Sequence, residues 1–373
     1  RGDLFLVDDN FIGNKRDAMR LLPAIAEWQK ARKYPFSLYT EASLNLARLD
    51  SLVEAMIDAG FNTVFLGIET PNTEALLKTK KPQNIRKGEE NYLIDAVRKI
   101  QQKGMEVMGG FILGLDGDHE DVFDAQIQFI QESGIPVAMV GLLGALKGTD
   151  LYHRLQSEGR LIEESTGDNG SVALNFETEM DRKVLIEGYK RVLSTIYDPT
   201  LTNYFERCLA MFKYLNPSQK YVKEVGKTEV AAVARSIRRQ LFSRQGPAYL
   251  RFLATVLKDH PRKFPDAVRL AIAGYHFEKI TKHQITVHNF MEYLNAELDE
   301  FQETVSVATR ISSRGMDQIL VYVEDLFSRV HSQYEGIHKD FRYSVEDALD
   351  SFQETVDSQL GQLFDATTLR SSI

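Results

Sequence analysis

One cysteine, Cys208, in 373 residues is the scarcity that constrains this chain most. A single thiol excludes an internal disulfide. It also excludes an iron–sulfur cluster or a cysteine-based zinc site built from this chain's ligands alone. The eight histidines are scattered, without HxxxH or HExxH spacing, so zinc catalysis has no support. GxxxxGK and GxSxG are both missing, which removes a phosphate-cradling loop and a nucleophile elbow. No apolar run approaches the ~18 to 20 residues that span a bilayer, and no basic-then-apolar leader precedes the first apolar segment. The expectation is a cytoplasmic protein without a transmembrane segment. A formal charge of -8 gives no general nucleic-acid footprint.

What is present is a strand–helix rhythm whose strands end in polar residues or glycine. Leu4–Val7 runs into Asp8, Asp9 and Asn10; Phe36–Tyr39 into Thr40 and Glu41; Val64–Ile68 into Glu69 and Thr70. Met105–Leu113 runs into Gly114 and Asp116, and Val137–Val140 into Gly141. Apolar runs separated by helical patterns read as parallel strands of βα units, which predicts a barrel or an open doubly wound sheet. The abrupt opening at Arg1-Gly2-Asp3 reads as the inside of a domain, with a buried first strand. In such folds polar residues at the carboxyl ends of strands form an active-site rim. Asp8, Asp9, Glu41 and Glu69 therefore read as a carboxylate ring around a small polar ligand or a hard metal, or as caps of the helices that follow. Gly109 and Gly110, inside the fourth strand, mark close approach of a ligand, such as a flat adenine ring, or of neighbouring protein. Thr149, after Gly148, reads as a helix cap.

Beyond residue 159 the pattern changes. Residues 160–180 read as a loop or small hairpin turning at Gly167–Gly170, and a helical pattern follows to about 295. Residues 296–373 read as long amphipathic helices, with Ile337, Phe341, Val345, Ala348, Phe352 and Val356 near heptad spacing. The pentapeptide FQETV occurs twice there, at 301–305 and 352–356. Residues 231–272 are basic and the C-terminal stretch acidic. Solvated helix faces, or pairing between the two, explain this first, and an anionic surface second. Cys208 reads as an inert core thiol.

Together these residues resemble the radical S-adenosylmethionine superfamily, specifically its cobalamin-binding branch and the members with an added helical C-terminal domain, such as hopanoid methylases. The resemblance rests on Phe5–Phe11, Gly67-Ile68-Glu69-Thr70-Pro71, Gly110-Phe111-Ile112-Leu113-Gly114 and Gly148-Thr149-Asp150-Leu151-Tyr152. It implies an α/β fold, an incomplete (βα)6 TIM-like barrel over residues 1–159, followed by an all-helical region. Asp8 and Asp9 would bind the amino group of S-adenosylmethionine, Glu69 its ribose, and Glu41 a polar contact near either. Gly110 and Ile112 would pack on adenine, with the backbone of Leu143, Gly144 and Ala145 completing that pocket. The family's CxxxCxxC loop, which ligates a 4Fe-4S cluster, is not in this sequence. The chain therefore reads as the downstream part of a longer enzyme, or as a degenerate relative, inactive alone. The implied activity is methylation of an unactivated carbon of a bulky or hydrophobic, lipid-like small molecule, with cluster and cobalamin supplied in the intact family member. The alternative is a non-catalytic assembly protein that self-associates through its C-terminal helices.

Overall fold

The computed structural model describes residues 2–78, 92–162, 174–216, 227–308 and 315–370. The turn expected at Gly167–Gly170 lies outside them. Two compact units are present, Arg1–Glu278 and Lys279–Ile373, a division drawn differently from the three stretches that composition marks off.

In the first unit β1 (Gly2–Leu6), α1 (Lys15–Ala31), β2 (Phe36–Ser43), α2 (Asp50–Ala59) and β3 (Phe61–Glu69) open the alternation. After α3 (Thr73–Lys78) come α4 (Tyr92–Lys103), β4 (Glu106–Leu113), α5 (Asp121–Ser133) and β5 (Ala138–Leu142). The five strands are all parallel and lie in the order β1-β2-β3-β4-β5. Period-two alternation sorts their side chains. Leu38, Ala42, Val64, Leu66, Ile68, Val107, Phe111 and Leu113 are buried in one core with the helices. Tyr39, Glu41, Phe65, Gly67, Glu69, Met108, Gly110 and Ile112 are half-buried on the other face. A parallel sheet that never reverses strand order and buries one face under its helices is wound in a single sense. That is the curl of an incomplete TIM-like barrel rather than a doubly wound sheet.

The first strand departs from its expected burial. β1 pairs only with β2 among the described residues, and Leu4, Phe5 and Val7 are 39, 36 and 83 % exposed. Apolar content alone does not separate a covered strand from one at a sheet edge.

A helical layer follows: α6 (Asp150–Ser157), α7 (Arg182–Ile196), α8 (Thr202–Tyr214), α9 (Lys227–Leu241), α10 (Gly246–Asp259) and α11 (Phe264–Ala308). A bridge from Leu161 to Phe176 is all that is described of the expected hairpin. The hydroxyl of Tyr197, at the end of α7, donates to the Ala138 carbonyl and accepts from its N–H, both at 3.0 Å, fastening the helical layer to β5.

The second unit holds the remainder of α11 with α12 (Gly315–Gly336) and α13 (Tyr343–Arg370). Phe290, Phe301, Leu326, Val330, Phe352 and Val356 close a core of its own. The two FQETV segments thus use their first and fifth positions alike: both phenylalanines are buried, Val356 is buried, and Val305 packs at the margin. The 337–356 stripe is broken in the backbone, because α12 ends at Gly336 and a short turn at Lys339–Phe341 precedes α13. Ile337 still reaches the same core, so the spacing survives while the helix does not.

Candidate functional site

The carboxyl ends of the strands bring the expected carboxylates to one rim, but not in one role. Past β1 the chain turns sharply, with the Asn10 N–H donating to the Asp8 carboxylate at 2.9 Å. The Asn10 side chain accepts from the Ser43 N–H at 3.1 Å, and the Phe11 N–H donates to the Glu41 carbonyl at 3.0 Å, so this loop is stitched to the end of β2. Asp8 is therefore a turn-former, which is the capping explanation in another guise. Asp9, beside it, is exposed and acts on Glu41 across the loop. The Glu41 carboxyl is held above the usual carboxylate range by burial and then by the Asp9 charge. Neither Asp9 nor Glu41 forms an ion pair with a lysine or arginine among the described residues.

Glu69 ends β3 at a register shift, with φ of +69°. The Thr70 N–H donates back to the Ile68 carbonyl at 3.0 Å, closing a tight turn around Glu69. A left-handed conformation costs a non-glycine residue about 1–2 kcal/mol, and such backbone outliers cluster where a side chain must be aimed. The turn sends the carboxylate back over Gly67, to within 3.1 Å of where a Cβ there would stand. Gly67 pairs with Gly110 and Gly110 with Met139, so two adjacent positions on this face of β3 and β4 carry no side chain of their own. Sequence reasoning missed the neighbour of one of them. The Phe65 ring would lie 2.9 Å from a Cβ at Gly110. Phe65 was recoverable, since it shares the period-two face of Gly67 and Glu69. Ile112 lies on the same face, half-buried.

Of the backbone around 143–145, the Leu143 N–H is taken by the Leu113 carbonyl at 2.9 Å. Ala145 exchanges both backbone hydrogen bonds with the buried Asn175 amide, each at 2.9 Å. Gly144 is the exposed part, with open space around its α-carbon. Thr149 caps α6 as expected, accepting from the Tyr152 N–H at 3.2 Å.

The loop after β4 is shaped by two buried acids. Asp116 takes Arg154 at 2.6 Å and Arg160 at 2.9 Å. Asp118 accepts from the N–H groups of Gly114 and Leu115 at 3.1 and 3.0 Å and from the Asn72 amide at 3.3 Å, clipping this loop to the one after β3. Burial outweighs these bonds and pushes the Asp118 carboxyl up to about 6. The folded chain therefore holds a proton that the unfolded chain releases between about pH 4 and 6. The resulting stabilisation is complete below about pH 4 and is lost as pH rises through about 6. We expect Asp118→Asn to flatten the dependence of unfolding free energy on pH in this window by up to about 3 kcal/mol, measured by urea unfolding at stepped pH. An unaltered slope would show that this carboxyl titrates normally.

Against known families, residues 11–130 match the radical SAM superfamily, and residues 149–289 match a domain of unknown function, DUF4070. The chain carries a radical SAM domain. It is 35 % identical over 321 residues to an uncharacterized methyltransferase of Synechocystis sp., covering 84 % of this chain and 59 % of the relative. It is 40 % identical over 199 residues to a hopanoid C-2 methylase of Rhodopseudomonas palustris, covering 53 % of this chain and 36 % of that protein. A bacteriochlorophyllide d C-8(2)-methyltransferase of Chlorobaculum tepidum matches at 22 % over 191 residues, 51 % of this chain and 40 % of that one. The chain thus spans between about a third and three fifths of these relatives' lengths. Among solved structures, the radical S-adenosylmethionine methyltransferase TsrM from Kitasatospora setae aligns with a TM-score of 0.39 at 12 % identity, over 74 % of this chain and 52 % of that one, too slight a likeness to bear on the site.

The residues of this radical SAM domain fit part of the family's cofactor set. An anionic pair, a third carboxylate over a glycine strip and a flanking aliphatic suit an ammonium, a ribose and a flat base respectively. They do not fit an iron–sulfur cluster. Cys208 is fully buried in α8, and burial pushes its thiol up to about 12, the opposite of a metal-binding thiolate.

Proposed function

We propose that this chain contributes the S-adenosylmethionine-binding rim of a radical SAM methyltransferase acting on an unactivated carbon of a bulky, hydrophobic small molecule. The observation that carries the reading is that the loop bearing Asp9 is stitched to the end of β2 at Glu41, next to the strand that carries Gly67, with neither carboxylate in an ion pair with a lysine or arginine among the described residues. In this reading Asp9 and Glu41 receive the methionyl ammonium. Glu69, aimed by its left-handed backbone, takes the ribose hydroxyls, and adenine lies along Ile112 and the exposed Gly144. Asp8 shapes the loop that carries Asp9. Bound S-adenosylmethionine supplies a sulfonium whose substituent carbons are the reacting centres. The thiolates that would hold a 4Fe-4S cluster are not residues of this chain, and none of its residues is assigned to cobalamin. Alone it is expected to bind without reacting. The names of its relatives support methylation, and two of them name a hopanoid and a bacteriochlorophyllide, which supports a bulky substrate.

The test is equilibrium dialysis of labelled S-adenosylmethionine against the chain and its variants. A charge-assisted hydrogen bond contributes about 1.5–3 kcal/mol, so Asp9→Asn and Glu41→Gln should each weaken binding about ten- to a hundredfold. Asp8→Asn, which keeps the turn acceptor, should change it little. An ammonium prefers ionised carboxylates, so affinity should fall as pH drops through the raised range of Glu41. Wild-type affinity in both Asp9→Asn and Glu41→Gln, with folds intact, would overturn the assignment.

A further inference from the structure

The matched domain of unknown function contains α9 and α10, and no role in the proposed site falls to either. On α10, Tyr249, Phe252 and Val256 are buried, and the opposite side carries Leu250 and Leu257 at 52 and 53 % exposure with Arg251 and Lys258 beside them. These four recur at spacings of one, seven and eight residues, so they form one stripe along the helix. The turn from α9 into α10 holds out Phe242 at 83 % exposure, next to the exposed Arg244. On α9, Arg235, Arg238 and Arg239 are exposed, whereas Ser236 and Gln240 face inward, the latter donating to the Ala271 carbonyl at 3.0 Å. None of these five arginines and one lysine makes an ion pair within the first unit, among its described residues. Cationic side chains fringing exposed leucine and phenylalanine is the composition of a helix surface that lies in a headgroup layer.

We propose that this face docks the protein onto the surface of an anionic lipid bilayer. The cations match anionic headgroups in charge, and the three apolar side chains gain only in a medium that accepts them. A nucleic acid would use the first set and leave the second in water. Among the described residues no helix is long and apolar enough to cross a membrane, and the proposed contact is one with the bilayer surface.

The experiment is co-sedimentation of the full chain with phosphatidylcholine vesicles, with and without phosphatidylglycerol. Binding should require phosphatidylglycerol and weaken with salt. Combined replacement of Arg238, Arg239 and Arg244 by Ser should reduce it about a hundredfold, at about fivefold per charge. Phe242→Ser with Leu250→Ser and Leu257→Ser should reduce it tenfold or more. All six positions are exposed, so unchanged circular dichroism melts are expected to accompany these losses. Equal binding to neutral vesicles, no binding to either, or wild-type binding by both triple variants would overturn the proposal. So would an oligonucleotide that binds as tightly as the vesicles and is insensitive to the apolar triple.

Discussion

Replacing Arg207 by methionine is expected to destabilise the first unit by about 3–5 kcal/mol, the range for stripping one partner from a buried charged network. Arg207 is fully buried in α8. Its Nε donates to the Ile135 carbonyl at 3.1 Å, and its terminal nitrogens donate to the Gln131 side chain at 2.6 Å and to the Ile196 and Pro136 carbonyls at 2.7 and 3.4 Å. The guanidinium also lies 5.4 Å from the ring centres of Tyr197 and Tyr204. One side chain thus satisfies the end of α7 and the segment entering β5, two places where backbone carbonyls would otherwise be dry. Methionine keeps the stem and leaves those oxygens without donors. Urea unfolding followed by Trp28, the single tryptophan and a residue of the first unit, measures the loss. Arg207→Lys should recover little, since an ammonium cannot match the planar fork. A methionine variant within 1 kcal/mol of wild type, taken as about experimental error, would mean that water replaces the guanidinium.

Gly188→Ala should cost about 2 kcal/mol although alanine is the better helix former by about 1 kcal/mol. A Cβ at Gly188 would stand 2.1–2.3 Å from atoms of the Phe123 ring, deep inside any permissible contact. That ring is buried between α5 and α7, with the Arg191 guanidinium 5.8 Å from its centre. It has little room to retreat, so overpacking exceeds the propensity gain. Phe123→Leu in the same chain should recover much of the loss by opening the space, which a double-mutant cycle would measure as coupling. A stabilised Gly188→Ala would show the ring to be freely displaced.

Neither of these two positions announces itself in the sequence. An arginine among apolar residues and a glycine inside a helix are defined by what reaches them from 50 or more residues away. The βα rhythm, the cap at Thr149 and the face bearing Glu41, Gly67, Glu69 and Gly110 were legible, because each rests on local periodicity or local turn chemistry. The turn bond at Asp8 was not, since it depends on which carboxylate the Asn10 N–H selects. The hold of Asn175 on Ala145 is likewise a tertiary bond across 30 residues that no spacing rule encodes. The edge position of β1 escaped notice because sheet order, unlike strand content, is a property of the assembled fold.

That edge position has a consequence for the sheet's dynamics. In a parallel ladder alternate residues direct their amides toward the neighbouring strand, and β1 has a neighbour only on the side of β2 among the described residues. Half of its amides are therefore held by the sheet and half face outward, while β3 is bonded on both sides and lies under the helical core. Isotope exchange of backbone protons should follow that asymmetry. Exchange should be rapid at every second residue of β1 and slowest in β3, so that the first strand opens long before the sheet as a whole gives way.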